Sequence, residues 1–243
     1  MTHLNYLFIC CLLFVMISCK GQPSTAKSYQ TNQDIPLQTQ ELLPLRDTIL
    51  KWIKDKRIPS MAVAVASKGE IIWLDAYGYA NAEKKLLATP QTSYALGSLS
   101  KSISATGVMT LVENGDIDLE DFVNPLIAPD SLTSPRWNAD AVRVWHLLNS
   151  SAGIPHGWSS YDINATLLPK NQLFSELLKR YGVVTFPPGE VHHYANYSFG
   201  VADLLMERVS KKPLEQFLQA ALFQPLGMKN SHSEYLQALA HQF

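Results

Sequence analysis

Residues 98–113, SLSKSISATGVMTLVE, constrain the fold of this chain more than any other segment. Their pattern predicts a helix, and Gly115 follows where a left-handed residue can end it. The middle of the helix, residues 102–107 (SISATG), is unusually small. Small side chains let other elements approach the backbone, so the helix is expected to be central and buried. What flanks it is unequal. Upstream, the β-rich runs 61–66 (MAVAVA) and 71–80 (IIWLDAYGYA) bracket Ser67-Lys68-Gly69-Glu70, which predicts a hairpin. Before the hairpin, Pro44 opens a helical pattern with Leu45, Ile49, Trp52 and Ile53 on one face. Downstream of Gly115 there is almost no strand signal. Helices are predicted over 142–148, 173–181 and 199–209, and another opens at Pro213 with Leu214, Phe217, Leu218, Ala221 and Leu222 as its apolar positions.

Composition restricts where function can reside. Twenty basic residues oppose 21 acidic ones for a net charge of −1, and no long segment is basic. Nucleic-acid binding is therefore not expected, and function belongs to a local site. All three cysteines, Cys10, Cys11 and Cys19, lie at the N-terminus. The rest of the chain can form neither a disulfide framework nor a cysteine-ligated metal site, and it has no thiol nucleophile.

Residues 6–18 (YLFICCLLFVMIS) form an apolar run too short to span a membrane as a helix but suited to the core of a secretory signal. Met16-Ile17-Ser18-Cys19 resembles a bacterial lipobox, although no Lys or Arg precedes the run. The expectation is a signal over 1–19 with lipidation at Cys19, a polar tether over 20–37, and one domain from 38 to 243. The protein would then be exported to the bacterial cell envelope and held on a membrane by a lipid anchor, facing the periplasm or the cell surface.

The helix 98–113 also carries the chemistry. Ser98 and Lys101 are three residues apart and so share a helical face. A serine hydroxyl becomes a nucleophile when a neighbour takes its proton, and a lysine can do so if its pKa falls towards neutrality. The spacing alone is cheap, since Ser24 and Lys27 share it inside the tether. Tyr-x-Asn is equally cheap, occurring at Tyr79-Ala80-Asn81 and at Tyr194-Ala195-Asn196.

Context separates these matches. The stretches GEIIWLDAYGYAN, TSYALGSLSKSISATGVMTLVENGDIDLEDFV and VRVWHLLNSSAGIP occur in that order. FPPGEVHHYANYSFGVADLLMERVSKKPLEQFLQAALFQPLGMKNS follows them. Together, over about residues 45–231, they resemble the serine β-lactamase and penicillin-binding-protein superfamily, especially its class C β-lactamase-like branch. The resemblance implies an α+β fold, with an antiparallel sheet covered by helices and a mainly helical subdomain. It implies Ser98 as the acylated nucleophile, Lys101 as its partner, Tyr194 as a second proton-transfer group and Asn196 as a substrate-binding amide. The substrate would be a small molecule or peptide presenting a peptide, β-lactam or ester carbonyl. No cofactor and no metal is implied.

Three departures from the family pattern stand out. Ala195 fills the middle of the second motif, as in class C enzymes, where many relatives have serine. Lys211 stands where glycine is usual. The third motif, Lys/His-x-Gly on a strand that also supplies an oxyanion N–H, has no match; His156-Gly157 lacks the intervening residue and lies upstream. This reading expects a C-terminally truncated domain. Its alternative function is a non-catalytic fragment or an envelope peptide-binding lipoprotein.

Other features are read as structural. His192 and His193 are surface residues rather than metal ligands. Ser150 and Ser151 beside His146 form a loop, not a triad. Trp73, Tyr77 and Tyr79 belong to the core or a sheet face, and residues 116–121 (DIDLED) form a solvated acidic turn lacking the calcium-loop pattern.

Overall fold

The computed structural model describes residues 42–156 and 170–233. The signal, the tether, Cys10, Cys11 and Cys19 lie outside the described residues.

Helix α1 spans Leu43–Lys54, with Pro44 in its first turn, where the missing N–H costs nothing, and Lys51 and Lys54 in its last turn, where they favour the dipole. It rests on strand β2. Ile49 is buried and Trp52 and Ile53 are half-buried, but Leu45 remains exposed. The apolar face is narrower than the spacing predicts because one sheet face covers only one stripe of the helix.

Strands β1 (Ser60–Ser67) and β2 (Glu70–Asn81) form the predicted hairpin, with Ser67 opposite Glu70. Both turn residues have positive φ, Lys68 at 52° and Gly69 at 82°, as a type I′ turn requires. Strand β3 (Leu86–Leu87), which the sequence did not announce, pairs with the end of β2 to give the order β1-β2-β3, antiparallel throughout. Gly78 is obligatory in β2, since its φ is 80° and a Cβ would stand 2.2 Å from the Pro59 carbonyl oxygen. Trp73 and Tyr77 alternate to the same face and meet Ile49 there.

Helix α2 (Ser100–Glu113) follows a single 3₁₀ turn over Gly97–Leu99. Only one face of it is buried, through Ser104, Gly107, Val108 and Leu111, while Ser102, Thr106 and Met109 are exposed. The expected central position is thus corrected to a one-sided one. The small residues that matter are those facing α6. At Gly107 a Cβ would lie 2.6 Å from Met206 Sδ and 2.9 Å from Leu218, so the close approach depends on glycine.

Helix α3 (Val123–Leu126), helix α4 (Val144–Leu148) and helix α5 (Lys170–Tyr181) surround helix α6 (Asn196–Ser210), and helix α7 (Leu214–Leu218) runs on into a π turn over Gln219–Phe223. Helix α6 buries Tyr197, Val201, Ala202, Leu204, Leu205 and Met206. It ends at Lys211 with φ 56°, a left-handed position that explains why glycine suits it. Asp130, buried, is bridged by Arg208 at 2.8 Å and by the Ser175 hydroxyl at 3.1 Å, tying α5 to α6. Beyond α2 the described residues contain only isolated bridges, Phe122 with Arg143 and Thr133 with Val183.

Candidate active site

Two helix N-termini build the site. The turn Gly97–Leu99 carries Ser98 and the first turn of α2 carries Lys101; the extended Tyr194-Ala195 pair leads into Asn196, the first residue of α6. Packing of α2 against α6 brings these segments together across 95 residues of sequence. The Tyr194 hydroxyl lies 2.7 Å from Ser98 Oγ. Lys101 Nζ donates to Asn196 Oδ1 at 2.7 Å and lies 3.3 Å from Ser98 Oγ. It also sits 4.8 Å from the centre of the Tyr194 ring and 5.6 Å from that of Phe199.

This arrangement determines which protons are easily moved. Hydrogen bonding from Lys101 first, then from Ser98, pulls the Tyr194 phenol below its ordinary pKa of 10.0, with Lys101's charge adding to the effect. A phenolate so formed is 2.7 Å from Ser98 Oγ, within reach of its proton. Proton transfer needs that separation and no rearrangement. The Tyr-Ala-Asn register is fixed by burial: Ala195 is fully buried, while Tyr194 on one side and Asn196 on the other reach outward.

Of the sequence-predicted residues, the structure brings together Ser98, Lys101, Tyr194 and Asn196. The competing matches do not join them: Tyr79-Ala80-Asn81 ends strand β2, and Ser24 and Lys27 lie outside the described residues. Ser150 and Ser151 are buried in a loop and His146 is buried in α4. His146 Nδ1 accepts the Arg143 backbone N–H at 2.9 Å, and Ser151 Oγ donates to Asn149 at 2.6 Å. Burial, aided by the charge of Arg143, lowers the His146 pKa and keeps the ring neutral. In the acidic turn, Asp118 and Asp121 accept backbone N–H groups of Glu120 and Asp118. No group of three or more metal-ligating side chains clusters among the described residues.

Two neighbours of the site carried no sequence signal. Asp203, two turns beyond Asn196 on α6, lies near Ser104 of α2, and its Oδ1 is buried without a hydrogen-bond partner though the residue keeps partial exposure. Burial raises its pKa to about 6. His156 lies against Tyr194, and neither proximity has a spacing that could announce it.

An antiparallel sheet with a helical body and this hydroxyl–amine–phenol cluster have the arrangement of the serine β-lactamase and penicillin-binding-protein superfamily. Residues 45–239 match the family model described as Beta-lactamase, and the chain belongs to that family. It is 26% identical over 187 residues to Penicillin-binding protein 4* of Bacillus subtilis, covering 76% of this chain and 40% of that protein. Among solved structures, the octameric penicillin-binding protein homologue from Pyrococcus abyssi superposes with a TM-score of 0.65 at 28% identity, covering 78% of this chain and 44% of the other. EstCE1, described as a hydrolase with promiscuous acyltransferase activity, shares the fold with a TM-score of 0.61 at 23% identity, covering 75% of this chain and 50% of its own. The chain thus spans half or less of the length of these relatives.

Proposed function

We propose that the protein is a serine hydrolase that forms an acyl-enzyme on Ser98. One observation carries the reading: Ser98 Oγ lies within 2.7 Å of the Tyr194 hydroxyl and 3.3 Å of Lys101 Nζ. As Oγ attacks a carbonyl carbon, its proton passes to the Tyr194 oxygen, and Lys101 stabilises the charge left on the pair. Lysine and phenol act as one coupled unit, so the proton belongs to both. The tetrahedral oxyanion takes a hydrogen bond from the Ser98 backbone N–H. Collapse breaks the bond to the leaving amine or alkoxide, which receives the proton, and Ser98 keeps the acyl group as an ester. Water then attacks that ester, with the same pair accepting its proton and Ser98 Oγ as the leaving group. Asn196 orients the substrate amide or ester through the part of its side chain not engaged by Lys101.

The substrates are small molecules or peptides with a peptide, β-lactam or ester carbonyl. Support for this class comes from family membership and from the fold shared with a penicillin-binding protein homologue and an esterase-type hydrolase. The apolar run over 6–18 and the lipobox-like Met16-Ile17-Ser18-Cys19 support a further part of the proposal, a lipid tether through Cys19 at the cell envelope. Metabolic labelling with palmitate, lost in Cys19→Ala, tests the anchor.

The catalytic reading is tested with a fluorophosphonate and a fluorescent penicillin, the adduct being located by peptide mass spectrometry. Label on Ser98, absent from Ser98→Ala, is the expected result. Absence of any adduct under conditions that label a penicillin-binding relative would remove the proposal.

A further inference from the structure

The main chain and the side chain of His156 both grip the Tyr-Ala-Asn segment. The loop 150–156 runs beside residues 185–196 through a series of backbone hydrogen bonds. His193 N–H reaches the Ser150 carbonyl at 2.8 Å, Gly189 reaches Ser151 at 2.8 Å and Thr185 reaches Gly153 at 2.8 Å. The series ends at the site, where Asn196 N–H donates to the His156 carbonyl at 3.0 Å. The side chain returns the contact two residues earlier, with Nδ1 2.9 Å from the Tyr194 carbonyl oxygen. A carbonyl can only accept, so Nδ1 carries the proton and the tautomer is fixed. The imidazole also stacks on the Tyr194 phenol, with ring centres 5.5 Å apart and planes inclined by 28°.

These three contacts flank Ala195 and leave the Tyr194 backbone and ring little freedom. Such restraint is needed because Tyr194 precedes the first turn of α6 and is 41% exposed. An exposed phenol outside a helix would otherwise sample several rotamers, each of which lengthens the bond to Ser98 and moves the ring away from Lys101.

Resting on the catalytic reading above, we propose that His156 is a positioning residue that holds the Tyr194 phenol between Ser98 and Lys101 by clamping residues 194–196. The hydrogen bond sets the main chain and the stack sets the ring. His156 itself transfers no proton in the reaction. Lys101 and Ser98 are the groups that lower the phenol pKa, so a drifting ring loses that lowering.

The test uses the full chain with Cζ-labelled tyrosine, following the phenol titration of Tyr194 by NMR, with the signal assigned through Tyr194→Phe. Wild type, His156→Ala, His156→Asn and His156→Phe are compared. Asn can still donate to the Tyr194 carbonyl, and Phe can still stack. Expected are a midpoint below 10 in wild type, a rise towards 10 in His156→Ala, and partial restoration in each of the other two. In parallel, fluorophosphonate labelling of Ser98 slows roughly tenfold in His156→Ala, since small misplacement of a reacting group is costly. Its rising pH limb moves to higher pH, while melting temperature stays near that of wild type. A Tyr194 titration in His156→Ala indistinguishable from wild type overturns the inference. If His156→Ala fails to fold, the Asn and Phe variants decide: wild-type titration in both refutes the clamp, and a rise in both supports it. Lack of Ser98 labelling in wild type would count against the catalytic reading alone, because the phenol titration still reports the clamp.

Discussion

The helical body and the hairpin region are built from the same kinds of residue but to very different depth. Around α6, 24 buried apolar residues form one continuous core among those described, from Val108 on α2 to Phe223 after α7. Around the hairpin, the buried cluster is Ile49, Trp73 and Tyr77. All four candidate site residues enter through α2 and α6, at the rim of the deep core. The difference teaches that site geometry is set by helix packing, while the sheet contributes little to holding Ser98 against Tyr194. Exposed apolar side chains concentrate at β3 and the approach to Ser98, with Leu87 at 63% and Leu99 at 69%.

Five experiments would break or sharpen that contrast. The largest effect is expected from Ser98→Ala, which should reduce probe labelling by at least about 10³-fold while leaving thermal stability unchanged, since Ser98 is exposed. A large stability loss would mean that the site and the core are not separable. Next, Leu205→Ala in α6 should cost about 2–5 kcal/mol in denaturant unfolding, whereas Val63→Ala in the half-buried β1 should cost about 1 kcal/mol or less. Equal losses would contradict the difference in depth.

Asp203→Asn addresses the interface between the two site helices. Its carboxyl pKa is raised to about 6 from 3.8, so its contribution to stability is fully present below pH 3.8 and is lost as pH rises through 6. At pH 7–8 the ionised group opposes folding, and the neutral amide should stabilise by about 1–3 kcal/mol. The gain should shrink as pH falls from 7 to 4; a gain independent of pH would exclude the buried charge as its cause. Gly78→Ala should selectively weaken hydrogen-exchange protection in β1 and β2, because both its φ and its contact with Pro59 forbid a Cβ. Spread of that loss into α6 would show the two regions to be one cooperative unit. The smallest effect is Lys211→Gly, which should gain about 0.5–1 kcal/mol by relieving the left-handed position that ends α6. A loss in urea unfolding would show that the lysine side chain holds something the geometry does not reveal.

Much of this was legible in the chain itself. The hairpin, its turn, the starts of α1 and α7 and the body of α6 follow from periodicity and punctuation, because those signals are local. The widths of the buried faces were not legible. Leu45 fits the apolar pattern of α1 and remains outside, since a pattern states which face prefers burial but not how much partner there is to cover it. Strand β3 is too short to carry a period and exists only because β2 offers it an edge.

For the candidate site, the sequence determined the residue types and their local placement: a serine and a lysine three apart on one face, and a tyrosine and an asparagine flanking a small residue. It could not distinguish Tyr194 from Tyr79 by spacing, because the two matches are locally equivalent. The order of the surrounding motifs favours Tyr194, and tertiary structure supplies the physical reason. Gly107 lets α2 approach Met206 of α6, and that contact brings Lys101 to Asn196 and Ser98 to Tyr194. His156 and Asp203 were likewise invisible, since their contacts with Tyr194 and Ser104 join residues distant in sequence. Local propensity is encoded residue by residue; proximity is a property of how the helices pack.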